Sequence, residues 1–402
     1  MAQAKRPRLS SNGSDSSSLP LFCGFELTEK KVISLPASLG PVSAVSAWPT
    51  GKAGHFTADS TADKQAVFAV GTSHGCIALV YSDESTVVLE NSGSSAVLQL
   101  LAKDSSAPVS AILDAKPVPD VVAGDADGQV LVYVLGRVFS RNTLPAPIST
   151  LSADLNPNMP SSFSVGDMSG TIASCHAQDT LWRAQLDMGL QALPVVPGGA
   201  DQRAAARLLD PAVNSACSVW LPDNHGLLTS YVLAASARGF IQLLSRGIPV
   251  HTIPLSTPCT SVCPGVFVAS DISRELPGSS YTQAIVGDGS GQLLVLDNFE
   301  LVAYAQVEYP VTRIFSLPLR AFVGHDGPDV VVCATLSDTI YVLHQRKIVA
   351  TYSAAFWPSA VDIVADFPGI GPAIVLVESE VLTGKSSSSS LHIISFRPLL
   401  DG

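Results

Sequence analysis

The sequence predicts an all-β protein, a single β-propeller most simply of seven blades with a disordered N-terminal tail. Two observations carry this. One hairpin pattern recurs along nearly the whole chain, and the composition, 47% hydrophobic and only 14% charged over 402 residues, supplies a large core. A chain of that length suggests two or three domains by rule of thumb, but barrels and propellers exceed the rule as single units.

The head, residues 1–19, is a polar, Ser-rich low-complexity stretch holding the basic cluster Lys5, Arg6, Pro7 and Arg8. Short basic clusters in exposed tails serve as nuclear import signals, and they also simply aid solubility. Phosphorylation of Ser10 or Ser11 would add negative charge beside the cluster and mask it. No apolar h-region opens the chain, and the longest uncharged stretch, residues 247–270, is interrupted by four prolines (Pro249, Pro254, Pro258, Pro264). A soluble, intracellular protein without membrane insertion is expected, cytoplasmic, with a nuclear address as the alternative.

The repeat begins at Val67. Each copy is a β-branched apolar run, a small residue, a tight polar turn and a second apolar run. The copies read VFAVGTSHGCIALVY (Val67–Tyr81), DVVAGDADGQVLVYV (Asp120–Val134), SFSVGDMSGTIASCH (Ser162–His176), YVLAASARGFIQLLS (Tyr231–Ser245), QAIVGDGSGQLLVLD (Gln283–Asp297) and DVVVCATLSDTIYVL (Asp329–Leu343). A looser copy pairs Ala373–Ser379 with Leu391–Phe396 across a Ser run, Ser386–Ser390, read as a hairpin loop. Gly128, Gly170, Gly239 and Gly291 provide the positive φ that tight hairpins require. Further strand candidates follow most hairpins, at Ser85–Leu89, Gly136–Ser140, Leu181–Leu186, Ile248–Leu255, Leu301–Val307 and Lys347–Tyr352. Near-continuous apolar runs mean strands covered on both faces, and units of three or four strands repeated seven times are propeller arithmetic.

A β-solenoid would have shorter rungs, and a pair of β-sandwiches seldom repeats one hairpin seven times. The wide interval between Gly170 and Gly239 reads as a loop insertion near 195–212, or as a degenerate eighth blade. The remainder, 20–402, reads as one propeller. The last copy leaves little chain for an outer strand, whereas Leu21–Leu27 stands alone at the other end, so this N-terminal strand is expected to complete the last blade.

Chemistry is sparse. Lys and Arg total 23 against 34 Asp and Glu, a net charge of −11, which argues against a phosphate-tracking nucleic-acid binder. The seven scattered cysteines form no zinc spacing and no disulfide framework, and read as small buried hydrophobes. The eight histidines show no ligand spacing; His74 and His344 read as solvated. Asp288-Gly289-Ser290-Gly291 leads into a strand rather than the helix a dinucleotide site requires. Aspartates at Asp125, Asp127, Asp167, Asp288 and Asp326 raise calcium, but Asp125-Ala126-Asp127-Gly128 brings two carboxylates where three or four are needed. Turn aspartates bonding their own backbone are the simpler reading. No cofactor and no catalytic residue is assigned.

The expected function is therefore a non-enzymatic scaffold binding other protein subunits. Low charge implies apolar surface, a mark of partner interfaces, and Trp182, Trp220, Phe356 and Trp357 are candidate anchors. Blade packing is the simpler reading of all four; Phe356 and Trp357, in a connection between strands, are the foremost pair. A metal- or ligand-binding or catalytic propeller using the central funnel is the alternative.

The stretches His325–Cys333, Pro117–Gly128 and Phe367–Val377 resemble FG-GAP repeats of integrin-α propellers, with the strand half kept and the acidic calcium loop absent. Residues 284–396, including VVVCATLSDTIYVLHQRKIVATY (Val330–Tyr352), resemble the FG-GAP-repeat propeller subunits of the KICSTOR complex; Kaptin and BBSome propellers are more distant. The resemblance implies a scaffold that tethers Rag-directed machinery to lysosomes and restrains TORC1 when nutrients are scarce. A BBSome-like trafficking or nuclear assembly scaffold is a further alternative.

Overall fold

Each repeated hairpin folds as the middle pair of strands of a four-stranded antiparallel sheet in the computed structural model. The structure describes residues 21–48, 67–90, 95–103, 118–154, 162–176, 178–186, 212–223, 225–269, 281–324, 326–380 and 388–401. Strand β1 (Leu21–Ser34) comes first and is used last. Blade 1 comprises β2 (Val42–Ala47), β3 (Val67–Thr72), β4 (Ile77–Tyr81) and β5 (Thr86–Val88). Blade 2 comprises β6 (Val97–Lys103), β7 (Asp120–Asp125), β8 (Gln129–Val134) and β9 (Arg137–Thr143). Blade 3 holds β10 (Ile148–Ala153), β11 (Ser162–Asp167), β12 (Thr171–His176) and β13 (Asp179–Gln185), and blade 4 holds β14 (Val213–Pro222), β15 (Leu228–Ser236), β16 (Phe240–Ser245) and β17 (Ile248–Pro254). Blade 5 is β18 (Cys259–Gly265), β19 (Gln283–Asp288), β20 (Gln292–Asp297) and β21 (Glu300–Gln306). Blade 6 is β22 (Val311–Leu317), β23 (Val330–Thr335), β24 (Thr339–His344) and β25 (Lys347–Ser353).

Blade 7 is closed by the two ends of the chain. Its strands are β26 (Ala360–Phe367), β27 (Gly371–Glu380), β28 (Ser388–Asp401) and, outermost, β1. The pairing of β1 with β28 runs from Leu21↔Asp401 to Ser34↔Ser390, as the leftover N-terminal strand predicted. The innermost strands β2, β6, β10, β14, β18, β22 and β26 each abut the next, and β26 returns to β2. The ring among the described residues therefore has seven blades. The anticipated insertion near 195–212 lies almost wholly outside them. The Ser386–Ser390 reading needs correction: Ser388–Ser390 belong to β28, and the buried Ser389 hydroxyl accepts the Val42 N–H. A strand that continues into its hairpin keeps its ladder bonds, which a loop would leave unmade.

Burial explains the repeat. Strands β7, β11, β19 and β23 are buried at every residue, because a neighbouring blade covers each face. Hydrophobic clusters accordingly lie between blades, as with Leu79, Tyr81, Val121 and Tyr133 between blades 1 and 2. The outer strand β9 alternates exposed and half-buried residues. The small residue of the repeat marks the closest approach of two blades: a Cβ on Gly124 would stand 2.4 Å from Ile148 Cγ2. The turn glycines play a different part, with φ of +78° at Gly128 and +86° at Gly170.

Candidate functional site

The site is built from one repeated position. Each inner strand of blades 1 to 6 slips register against its partner just after its first residue, and the residue beyond the bulge is Ala44, Gln99, Thr150, Ser215, Ser261 or Arg313. In blades 3 to 5 it is a hydroxyl that ties blades together. Thr150 Oγ1 accepts from Ala216 N at 3.2 Å, Ser215 Oγ from Val262 N at 3.1 Å and Ser261 Oγ from Ile314 N at 3.0 Å. In blade 7 the corresponding residue is Ala360, opposite Val377 as Ala44 is opposite Gly71. Two residues on stands Asp362, whose carboxylate accepts from its neighbour Ile363 N at 2.8 Å and from Ala47 N of blade 1 at 2.6 Å.

Blades 6, 7, 1 and 2 thus have Arg313, Ala360, Ala44 and Gln99 where blades 3 to 5 have hydroxyls, with Asp362 beside them. All five line a cavity of about 320 Å³ on one side of the central channel. Ala44 and Ala360, the smallest of the ring, leave the space. The mouth opens on the face bearing the turns between second and third strands, with Leu336, Ser337, Trp357 and Pro358 at the rim.

Arg313 Nη2 donates to Gln99 Oε1 at 2.7 Å, crossing from blade 6 to blade 2. This is its one hydrogen bond among the described residues, although a guanidinium has five N–H donors. No contact ion pair joins Arg313 to Asp362. Both are half-buried, open to the channel yet ringed by protein. Burial draws the Arg313 guanidinium below its ordinary range, opposed by the Asp362 charge. Burial pushes the Asp362 carboxyl up to about 6, against the Ala47 and Ile363 N–H groups and the Arg313 charge. Desolvation therefore outweighs mutual attraction for both. A cation with unused donors, an acceptor carboxylate and an amide form a set suited to holding a polar ligand.

The sequence-selected residues fall elsewhere or divide. Lys5, Arg6, Pro7 and Arg8 lie outside the described residues. Phe356 and Trp357, adjacent in the chain, part company. The Phe356 ring is half-buried, 4.5 Å from the His392 ring, which is held between Glu29 Oε2 at 2.8 Å and Glu378 Oε2 at 3.1 Å. Trp357 is 74% exposed at the channel mouth. Trp182 is half-buried against the turn at Gly247, and Trp220 is half-buried, its backbone N–H donating to Thr282 Oγ1 at 2.7 Å.

His74 is exposed, but His344 is not solvated as read: it is buried at the end of β24 with the Phe22 ring 5.3 Å away, and burial lowers its proton affinity. Closure of blade 7 covers it, which no local pattern announces. The aspartates are turn residues. Asp125 Oδ1 accepts from Asp127 and Gln129 N, Asp167 Oδ1 from Ser169 and Thr171 N, and Asp288 Oδ1 from Ser290 and Gln292 N, all within 3.0 Å. Asp326 stands in the connection before β23. Among the described residues no group of three or more His, Cys, Asp or Glu is placed to hold a metal ion. Cys175, Cys217, Cys259 and Cys333 are buried, Cys76 and Cys263 half-buried and Cys23 exposed.

Gln99, Arg313 and Asp362 were missed. The available signal was a charged or amide residue inside an apolar strand run, in VTRIFSL and AVDIVADF, always beyond the strand's first residue.

No family model matches the sequence, and no curated protein matches it. Solved structures do match. The WD40 β-propeller domain of Doa1 is similar at 11% identity with a TM-score of 0.57, over 92% of this chain and 97% of that one. BBS1N, solved in complex with ARL6DN, is similar at 10% identity with a TM-score of 0.56, over 92% and 96%. Among the described residues no helix is long and apolar enough to cross a membrane. Fold topology and these likenesses together make the chain a seven-bladed β-propeller.

Proposed function

We propose that the chain is a non-enzymatic interaction scaffold whose channel mouth holds a segment of a partner subunit. The observation that carries this reading is the exposed apolar rim: Trp357 and Leu336, 74% and 63% exposed, stand beside an open cavity. Large exposed apolar side chains around a concavity are what partner anchors require. The resemblance of residues 284–396 to KICSTOR propeller subunits supports a finer reading, a KICSTOR-like complex at the lysosomal surface that restrains TORC1 signalling. In that reading residues 20–402 act as one unit and Lys5–Arg8 form a separate address signal.

The likeness to BBS1N, itself solved with a protein partner, favours a BBSome-like trafficking scaffold as the second reading. The experiment is affinity purification of tagged full-length wild type and Trp357→Ala from the protein's own cells, quantified by mass spectrometry. Trp357→Ala should shed a partner while changing stability by less than about 0.5 kcal/mol, as exposed substitutions do. Rag-pathway or KICSTOR-like subunits among the losses support the finer reading, and trafficking subunits the second. A partner set unchanged by Trp357→Ala refutes the rim as the binding surface.

A further inference from the structure

Resting on that reading, the geometry points to a carboxylate as what the channel mouth recognises: an acidic side chain or a free C terminus, on an extended segment of a protein partner, seated against Arg313. Three features of the site converge on this.

Arg313 is a cation ringed by protein that makes one hydrogen bond, to the neutral Gln99, and no contact ion pair. Cations in such surroundings are normally matched by an anion or a full set of acceptors, and the planar guanidinium fork fits a carboxylate through two parallel N–H···O bonds. Asp362 does not fill this place. Its two oxygens are turned to the N–H groups of Ala47 and Ile363.

The space has the right size and access. About 320 Å³ opens directly to the outer face, near the lower end of the roughly 300–1,000 Å³ typical of ligand pockets. That admits a side chain or chain end and excludes a folded element.

The rim selects a protein segment over a free ion. Trp357 and Leu336 stand exposed above the cation, so an apolar residue neighbouring the acid would be covered at the same time. A small free anion would leave that surface unused. The molecule as a whole is acidic, with a net charge of −11, so its surface repels an acidic segment in general and Arg313 offers the local attraction that fixes where such a segment can bind.

The test pans short linear peptides, with free and with amidated C termini, against the full-length protein. Enriched peptides should carry Asp, Glu or a required free C terminus beside an aromatic or aliphatic residue. They should lose about tenfold or more in affinity on Arg313→Gln, and equally on wild type when the peptide's acid is replaced by its amide. The second comparison stands whatever the variant does to folding. Peptides lost on Trp357→Ala yet indifferent to removal of their acid keep the scaffold reading and overturn the carboxylate. Peptides indifferent to both residues, or none enriched, overturn both. Free glutarate binding as tightly as the best peptide assigns the site to a soluble dicarboxylate and overturns the protein partner.

Discussion

The ring is held shut by β1, and Phe25 measures how strongly. Its side chain is 5% exposed and packs against the rings of Phe22 at 4.8 Å, Phe322 at 4.7 Å and Phe396 at 5.3 Å. Phe→Ala at a buried site costs about 3–5 kcal/mol. At about 2.1 cal/mol/K per residue the 402-residue chain has an unfolding entropy of about 0.8 kcal/mol/K, so Phe25→Ala should lower Tm by about 4–6 °C. Deleting residues 1–28 removes Phe25 together with the ladder from Leu21 to Thr28 opposite Ser395–Asp401. It should lower Tm further and broaden the transition, because a blade with a missing edge unfolds ahead of the rest. Scanning calorimetry with urea titration reads both effects. Deleting only residues 1–20 is the control and should leave Tm within about 1 °C, because it keeps the whole β1–β28 ladder, which starts at Leu21. A 1–28 deletion that also melts within 1 °C of wild type refutes the closure.

Other consequences follow from single contacts. Gly124→Ala places a Cβ against Ile148 and should destabilise by about 1–3 kcal/mol. Ile148→Ala in the same chain should recover part of the loss, and strict additivity in a double-mutant cycle would dismiss the contact. Asp362 faces Arg313 and the half-buried Cys263, whose thiol burial pushes up to about 12 and so leaves neutral. With its carboxyl raised from 3.8 to about 6 on folding, the native state binds the extra proton between those values. Its contribution is therefore lost as pH rises from about 4 to about 6 and stays level above. Wild type should lose up to about 3 kcal/mol relative to Asp362→Asn over that window; a difference flat with pH removes the burial argument. Burial likewise raises the Cys217, Cys259 and Cys333 thiols. Iodoacetamide at mild alkaline pH should label the exposed Cys23 first and those three only on unfolding, as peptide mass spectrometry would report.

The sequence by itself determined the strands and their hairpins, because each rests on local physics, while the choice of seven blades over eight came from the closed ring of the described residues. Val- and Ile-rich runs suit strands covered on both faces, and Asp125, Asp167 and Asp288 bond the backbone of their own turns. The closing strand was legible by remainder, one strand lacking at the C terminus and one spare at Leu21. Some local features escaped even so. The outer hairpin of blade 6 turns at Gln345-Arg346, with φ of +47° and +67°, where no glycine advertises a turn; the paired strands enforce the conformation. Ser388–Ser390 read as loop because serine favours turns in isolation, yet β27 pairs with all three and β1 with Ser390.

Only the tertiary structure decided the site. Gln99, Arg313 and Asp362 come from blades 2, 6 and 7, and the bond from Arg313 to Gln99 spans 214 positions of chain. Phe356 and Trp357 are equivalent in sequence. One packs on a histidine that blade 7 holds between two carboxylates, and the other stands over the channel. His344 is buried because Phe22, from the far end of the chain, covers it. A repeat dictates what every blade shares. The channel chemistry resides in the few positions where the blades differ, and these become neighbours only when the ring closes.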